Sequence, residues 1–130
     1  MIWEVEMPDE QPGMQTPINM TNHAYWNLSG DFKQRSIADH TLQINASKML
    51  EFNDVQIPSG EIISVVDTPF DFNNFEVIAD KNRLSGAIDG GGRPGIDHAF
   101  VVTADPDKCS TMTKVATLRC GSRKMDVITT

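Results

Sequence analysis

A chain of 130 residues with 39% apolar and 22% charged residues has the composition of one globular domain, since a domain contains roughly 150 residues. Its 18 acidic residues outnumber its 11 basic residues and give a net charge of -7. This charge argues against binding to nucleic acid or to an anionic membrane surface, because both partners require clustered positive charge.

The N-terminal sequence MIWEVEMPDEQPG has no basic stretch followed by an apolar run, so we predict no secretory signal. No part of the chain approaches the roughly 20 apolar residues of a membrane span. We therefore expect a cytoplasmic protein. Reduced thiols are then favoured over a disulfide for Cys109 and Cys120, although a disulfide stays open. No CxxC-like pair or histidine pair with metal-ligand spacing is present, so no metal site is predicted.

The first half of the chain alternates between short apolar segments and turn signals. Pro8–Gly13 is a loop by composition, whereas Thr41–Ala46 alternates apolar and polar residues as a half-buried strand does. A turn is predicted at Ile57–Gly60. Strand-like segments follow at Ile62–Val66 and Pro69–Phe72.

The second half continues the same pattern. One helical turn is predicted at Asp80–Leu84, a glycine-rich loop at Ser85–Gly95 and a short strand at Phe100–Thr103. Val115–Cys120 and Met125–Thr129 flank a turn-prone connection and predict a β-hairpin. Many short strands with frequent turns predict an all-β sandwich.

Four short blocks carry a more specific signal. Residues 21–28 read TNHAYWNL, residues 57–62 IPSGEI, residues 68–72 TPFDF and residues 95–100 GIDHAF. They resemble, in the same order, blocks of the galactose mutarotase-type aldose 1-epimerase family, including TNHxYFNL and GxDHxF. One block alone would be weak, but four in order are a strong signal. The resemblance covers the chain from about Thr16 to Thr130. It implies one partial domain over residues 1–130, an incomplete β-sandwich that is a fragment of the galactose mutarotase-like supersandwich.

The resemblance implies an isomerase that interconverts the α and β anomers of hexoses such as galactose or glucose, in hexose metabolism and without a metal or organic cofactor. Opening the pyranose ring requires a general acid at the ring oxygen and a general base at the C1 hydroxyl. By resemblance, His23 is the general acid. An imidazole suits this role because it exchanges protons readily near neutral pH.

By the same resemblance, His23, Ala24 and Tyr25 line the sugar site, and the Asp97 carboxylate accepts hydrogen bonds from sugar hydroxyls. In an extended backbone, His23 and Tyr25 would point to the same side. These roles follow from the matching blocks; a histidine in a strand is more often structural.

Several of these residues also have structural interpretations. Asp97 could instead cap a turn or pair with Arg93. We expect His98 to be structural, His40 to lie at a strand edge and Trp26 to belong to the core.

The chain also departs from the family. Whole members are much longer; they carry another histidine and an arginine before the TNH block and a glutamate, the general base, well after the final hairpin. Here His23 is the first histidine, and Asp126 is the only acidic residue after Asp107. The general base is therefore absent from this chain. We expect weak or no activity from the chain alone, and self-association through exposed strand edges.

Two other functions stay open. A non-catalytic carbohydrate-binding β-sandwich module, or a degenerate copy of the enzyme, would keep Tyr25 and Asp97 without a base. An epimerase of sugar phosphates would need clustered cationic side chains, whereas Lys81, Arg83 and Arg93 are scattered.

Overall fold

The computed structural model describes residues 4–6, 13, 15–33, 36–53, 57–79, 96–102 and 112–129. These residues form two antiparallel sheets and no helix, which confirms the all-β prediction. The strands are β1 (Thr41–Ile44), β2 (Lys48–Phe52), β3 (Pro58–Ser64), β4 (Glu76–Val77), β5 (Phe100–Val101), β6 (Thr113–Cys120) and β7 (Arg123–Thr129).

The larger sheet has four strands in the order β4-β1-β6-β7. Leu42 of β1 lies opposite Leu118 of β6 and, on the other side, opposite Glu76 of β4. The smaller sheet has the order β3-β2-β5. Of the described strands, only β2–β3 and β6–β7 are pairs that follow each other in sequence, whereas β1 pairs with β4 and β6 and β2 pairs with β5 across long stretches of chain. Among the described residues, β4 and β7 lie at the edges of the larger sheet, and β3 and β5 at the edges of the smaller one.

A short connection joins the two sheets between β1 and β2. The Asn45 backbone N–H donates to the Val115 carbonyl of β6 at 2.8 Å, while the Ser47 carbonyl accepts from the Val65 N–H at 3.0 Å. Ala46, between these residues, is buried. The sequence alternation predicted a strand over Thr41–Ala46, and the strand observed covers its first four residues.

Apolar side chains of the smaller sheet and the turn after it form the main cluster. Met49 of β2 packs with Val65 and Phe70. Three partly buried side chains pack against this cluster: Ile63, Ile96 and Phe100. Phe72 is fully buried, and its carbonyl accepts the Ile44 N–H at 2.8 Å.

The predicted C-terminal hairpin is confirmed. Strands β6 and β7 pair from Cys120 opposite Arg123 to Thr113 opposite Thr129. Gly121 begins the two-residue turn with a φ of 55°, a left-handed conformation that a residue without a Cβ adopts without strain. Each strand of the hairpin begins two residues before its predicted start, at Thr113 and at Arg123, and each ends at the predicted residue.

The turn predicted at Ile57–Gly60 is wrong, because Pro58 already pairs with Phe52 at the start of β3. The chain turns earlier. The Asn53 N–H donates to the Ile57 carbonyl at 2.9 Å, and the Asn53 side-chain oxygen accepts the Ile57 N–H at 3.0 Å. An asparagine side chain that replaces a backbone acceptor is a strong turn determinant, and it outweighs the Pro-Ser-Gly signal here.

The extended segment predicted at Pro69–Phe72 is also wrong, because the chain makes successive turns there. The Thr68 hydroxyl donates to the Val65 carbonyl at 2.6 Å and accepts the Phe70 N–H at 3.2 Å. The Asp71 N–H also donates to the Thr68 carbonyl at 3.1 Å. Hydrogen bonds from threonine to nearby backbone groups compete with strand pairing, and here they prevail.

The predicted helical turn at Asp80–Leu84, the loop at Ser85–Gly95 and Cys109 lie outside the described residues. Of the loop predicted at Pro8–Gly13, only Gly13 is described, in a turn. In the described part of the chain, no helix has the length and apolarity needed to cross a membrane.

Candidate functional site

The segment 15–33, which carries the TNHAYWNL block, takes its shape from short polar side chains rather than from a sheet. Asn22 accepts the Ala24 N–H at 3.1 Å, and Asn27 accepts the Ser29 N–H at 2.9 Å through its side-chain oxygen. Each bond makes a local turn that substitutes for strand pairing. No strand forms within this segment.

His23 and Tyr25 lie side by side on this segment. Their ring centroids are 5.2 Å apart, with the ring planes tilted by 42°. Both side chains are exposed, Tyr25 to 83%, and Ala24 between them is exposed as well. The imidazole is thus accessible to a ligand and supported on one side by an aromatic ring.

Two clefts flank Tyr25. The larger measures about 340 Å³, and its walls are formed by Tyr25, Asn27 and the 29–32 loop. The smaller measures about 290 Å³ and is formed by Tyr25, Trp26, Asn27 and Ile37. Sites for small ligands start at about 300 Å³, so the larger cleft has the size for one sugar ring. His23 and Asp97 line neither cleft.

The assignment of Trp26 to the core is wrong, because its side chain is 53% exposed. Tryptophan has the largest side chain of the block and is mainly apolar, so burial was the expected outcome. The local bonds at Asn22 and Asn27 instead direct this stretch along the surface, where Trp26 becomes a wall of the smaller cleft.

Asp97 lies in a different part of the fold. It precedes β5, the short strand that pairs with β2 of the smaller sheet, and its carboxylate is exposed. The His23 segment, by contrast, contacts residues of the larger sheet. Among the described residues, no hydrogen bond or ion pair joins His23 to Asp97, and Arg93, the alternative partner of Asp97, lies outside them.

His98, next to Asp97, has the structural environment that the sequence predicted. Its ring packs 4.3 Å from the Phe70 ring and 5.7 Å from the Phe52 ring, measured between centroids. Partial burial lowers the pKa of His98 below its usual value, and the neighbouring Asp97 carboxylate partly opposes this. A neutral His98 is consistent with its Nδ1 atom accepting the Asp97 N–H at 3.2 Å.

His40 has a larger role than the strand-edge position that the sequence suggested. It directly precedes β1 but is fully buried. Its Nε2 atom accepts the Leu28 N–H at 2.9 Å, and its Nδ1 atom lies 2.9 Å from the Asp39 carboxylate. One feature of the sequence could have predicted this environment: Asp39 directly precedes His40, just before the alternating strand, and a neighbouring carboxylate can orient an imidazole.

One trio of metal-ligating groups occurs in the described residues. Ligand atoms of Asp39, His40 and Cys120 all lie within 4.8 Å of one another, and Cys120 is a free thiol. A metal needs an unprotonated nitrogen with a free lone pair. Both ring nitrogens of His40 already bond to Asp39 and Leu28, so the trio does not fit a metal in this conformation.

Comparison with known proteins agrees with this architecture. Residues 3–129 match the family model described as aldose 1-epimerase. The chain is 46% identical over 98 residues to galactose mutarotase of Bos taurus, a match covering 75% of this chain and 27% of that protein. It is 38% identical over 91 residues to aldose 1-epimerase of Escherichia coli K12, covering 70% and 25%.

A solved structure shows the same likeness. The crystal structure of an aldose epimerase homologue from C. elegans superposes with a TM-score of 0.55 at 28% identity, covering 75% of this chain and 26% of that one. The chain therefore spans about a quarter of the length of the relatives that it matches.

Proposed function

Because this chain belongs to the aldose 1-epimerase family, we propose that it carries the acid side of a mutarotase site that interconverts the α and β anomers of hexoses such as galactose or glucose. The observation that carries the proposal is the exposed imidazole of His23 beside the Tyr25 ring, 5.2 Å away. An acid for this reaction must reach the sugar from the surface, and His23 meets that condition.

In the proposed reaction, protonated His23 donates its proton to the pyranose ring oxygen while the C1–O bond breaks. The C1 hydroxyl loses its proton to a base, which leaves an open-chain aldehyde. Rotation about C1–C2 then presents the other face of the carbonyl. On closure, the C5 hydroxyl attacks C1 and returns its proton to His23, and the base returns its proton to the new C1 hydroxyl.

Asp97 and Tyr25 are proposed to bind the substrate. A carboxylate can accept two hydrogen bonds from neighbouring sugar hydroxyls, and the exposed Asp97 has this capacity unused within the described residues. The phenol of Tyr25 can donate or accept one more. Asp97 and His23 belong to different parts of the fold, so a sugar bound by both would hold these two parts at a fixed distance from each other.

A positioned general base has no counterpart in this sequence. Loss of one acid-base group typically slows a reaction by about a hundredfold to ten-thousandfold. We therefore expect the 130-residue chain alone to accelerate mutarotation of α-D-galactose far less than aldose 1-epimerase of E. coli assayed beside it by polarimetry. Equal rates would show that this chain contains a general base, and they would contradict the expectation that it supplies only the general acid.

Sugar binding tests the proposal independently of turnover. Titration calorimetry of the chain with D-galactose should give saturable binding that weakens in His23→Asn, which removes the imidazole but keeps a polar side chain. Lys33→Ala is the matched control, because Lys33 is an exposed residue at the end of the same segment. Equal affinity of all three proteins, or no binding by the unmodified chain, would refute the sugar site.

A carbohydrate-binding module without catalysis is the second proposed function. The exposed aromatic side chains around the clefts favour it: Tyr25, Trp26 and the fully exposed Phe32. Exposed apolar patches of this kind mark binding grooves. Galactose binding without any acceleration of anomer exchange, also after the relatives' downstream segment is added, would favour the module over the isomerase.

A further inference from the structure

Both polar backbone groups of Leu28 are bound by side chains that lie far away in sequence. Its N–H donates to Nε2 of His40 at 2.9 Å, 12 residues on. Its carbonyl accepts from Nη1 of Arg123 at 3.2 Å, 95 residues on, and the same Nη1 donates to the Ser29 carbonyl at 2.7 Å. Leu28 lies three residues after Tyr25, so these contacts hold the end of the stretch that carries His23.

The orientation of His40 is fixed on its other side. The Asp39 carboxylate, 2.9 Å from Nδ1, only accepts hydrogen bonds when ionised, so it assigns the ring proton to Nδ1. Nε2 is then left with a lone pair for the Leu28 N–H. The backbone of His40 is held as well, since its N–H donates to the Ile37 carbonyl and its carbonyl accepts the Ile78 N–H.

Gly30 makes room for the Arg123 guanidinium. Its φ is 69°, and a Cβ at this position would lie 2.6 Å from Nη2 and 2.7 Å from Cζ of Arg123. A side chain on residue 30 would therefore collide with the guanidinium and strain the backbone at once. The contact between residue 30 and Arg123, at the start of β7, therefore depends on glycine at position 30.

We propose that His40 and Arg123 are positioning residues of the sugar site, which clamp Leu28 and thereby fix the direction in which His23 and Tyr25 project. This role rests on the proposed function. Within the described residues the segment 15–28 pairs with no strand, so the clamp supplies restraint that a sheet would otherwise give. Without it, both rings remain in the chain but lose a common orientation.

Arg123→Ala is the decisive variant, because Arg123 is exposed and its removal leaves the buried core intact. Mutation of a group that orients a metal ligand by a hydrogen bond typically costs about 10–100-fold in affinity or activity, and we take the lower end of this range for Arg123, which acts through the backbone of Leu28 and Ser29. We expect D-galactose affinity to fall by about tenfold and the His23–Tyr25 inter-ring NOE to weaken, whereas the Leu28 amide should keep its protection from hydrogen exchange because its bond to His40 remains. Arg123→Lys should restore part of the affinity and of the NOE, since lysine keeps a donor, and the neighbouring Lys124→Ala should change neither of them.

The buried partner provides a second comparison. His40→Gln keeps a side-chain oxygen that can accept the Leu28 N–H, whereas His40→Ala does not. Leu28 protection should therefore be lost in His40→Ala and partly kept in His40→Gln. The Val65 amide, which donates to the Ser47 carbonyl in the buried cluster beside the smaller sheet, reports whether each variant stays folded.

The two proposals fail in different ways. If the unmodified chain binds no galactose, the sugar site is refuted, and the NOE and the exchange of Leu28 still decide the clamp. If Arg123→Ala leaves the His23–Tyr25 NOE and galactose affinity as they are in the unmodified chain, the positioning role of Arg123 is refuted while the sugar site stands.

Discussion

The His23 and Tyr25 rings lie 5.2 Å apart at a tilt of 42°, on an exposed segment that pairs with no strand in the described part of the chain. An imidazole at the surface can exchange protons with solvent or substrate, and an aromatic neighbour limits the directions from which a ligand approaches. The same segment is joined to the larger sheet at its end, where Leu28 bonds to His40, just before β1, and Leu28 and Ser29 bond to Arg123 of β7. The proposed proton transfer at His23 and the support at Leu28 therefore belong to different parts of the segment.

The carboxylate of Asp126 should make stability depend on pH in the acid range. Hydrogen bonds from Lys124 at 2.8 Å and from the Thr117 hydroxyl at 2.6 Å lower the pKa of Asp126. Because the folded-state pKa lies below the unfolded value of about 3.9, this contribution is present above pH 4 and is lost as pH falls through the folded value. Asp126→Asn should therefore be less stable than the unmodified chain near pH 7, and the difference should shrink below about pH 4 in urea unfolding.

Glu61→Gln is the control for this measurement. Glu61 is exposed on the edge strand β3, and its carboxylate makes no hydrogen bond or ion pair to a described residue. A difference of the same size and pH dependence in Glu61→Gln would show that the acid sensitivity belongs to total charge rather than to the Asp126 contacts.

The Asp97 carboxylate should partly raise the pKa of the neighbouring His98. Burial lowers the pKa of His98, and the Asp97 carboxylate raises it in part. Asp97→Asn should therefore lower the His98 pKa further, as NMR titration of its imidazole would show. A depressed histidine pKa also means that the associated stability is present above the unfolded value of about 6.5 and is lost as pH falls through the folded value. An unchanged or higher His98 pKa in Asp97→Asn would contradict this placement of the carboxylate.

Phe72 should be among the costliest side chains to truncate. It is fully buried, and its backbone holds β1 through the Ile44 N–H. Removing a buried phenylalanine to alanine typically costs about 3–5 kcal/mol. Phe32→Ala, at a fully exposed position, should change the free energy of unfolding by less than about 0.5 kcal/mol. Similar urea midpoints for the two variants would contradict the assignment of Phe72 to the core.

Strand β7 should mediate self-association of the isolated chain. It pairs with β6 alone among the described residues, and Val127 and Ile128 on it are exposed. Unpaired edges with apolar side chains favour strand addition, and a lysine on the edge opposes it. Sedimentation velocity should show concentration-dependent dimers that Val127→Lys suppresses. Val5→Lys, at an exposed site outside any strand, is the control and should leave them unchanged.

Local signals in the sequence were sufficient for the hairpin and for the all-β class. The strand β1 followed from alternation, and β6–β7 followed from two β-rich runs around Gly121. The turns at Asn53 and Thr68 were not predicted, because a side chain that bonds to nearby backbone leaves no periodic pattern. Pro-Ser-Gly, a strong turn signal, is instead the beginning of β3, because the bonds between Asn53 and Ile57 already bring the chain back beside β2.

The candidate site was predicted in part for a similar reason. The resemblance to the family pointed to His23, Tyr25 and Asp97 as site residues. The structure places the rings of His23 and Tyr25 side by side, and the roles of all three residues stay predictions. The bonding of His40 depends on Leu28, 12 residues away in sequence, which a single sequence does not reveal. The exposure of Trp26 follows from side-chain bonds of Asn22 and Asn27 to nearby backbone, which leave no periodic pattern. Arg123 was assigned only to a turn, although its guanidinium crosses to the motif segment.

The most direct test of the central claim is an NMR titration of the isotope-labelled chain with D-galactose, which follows the His23 imidazole and the Asp97 carboxyl in one experiment. If one sugar ring is held between these groups, both resonances shift with the same saturation curve, and His23→Asn abolishes the Asp97 response. Shifts at Asp97 that persist unchanged without the imidazole, or a His23 resonance that does not move at saturating sugar, would contradict the assignment of His23 as the acid of a pyranose site.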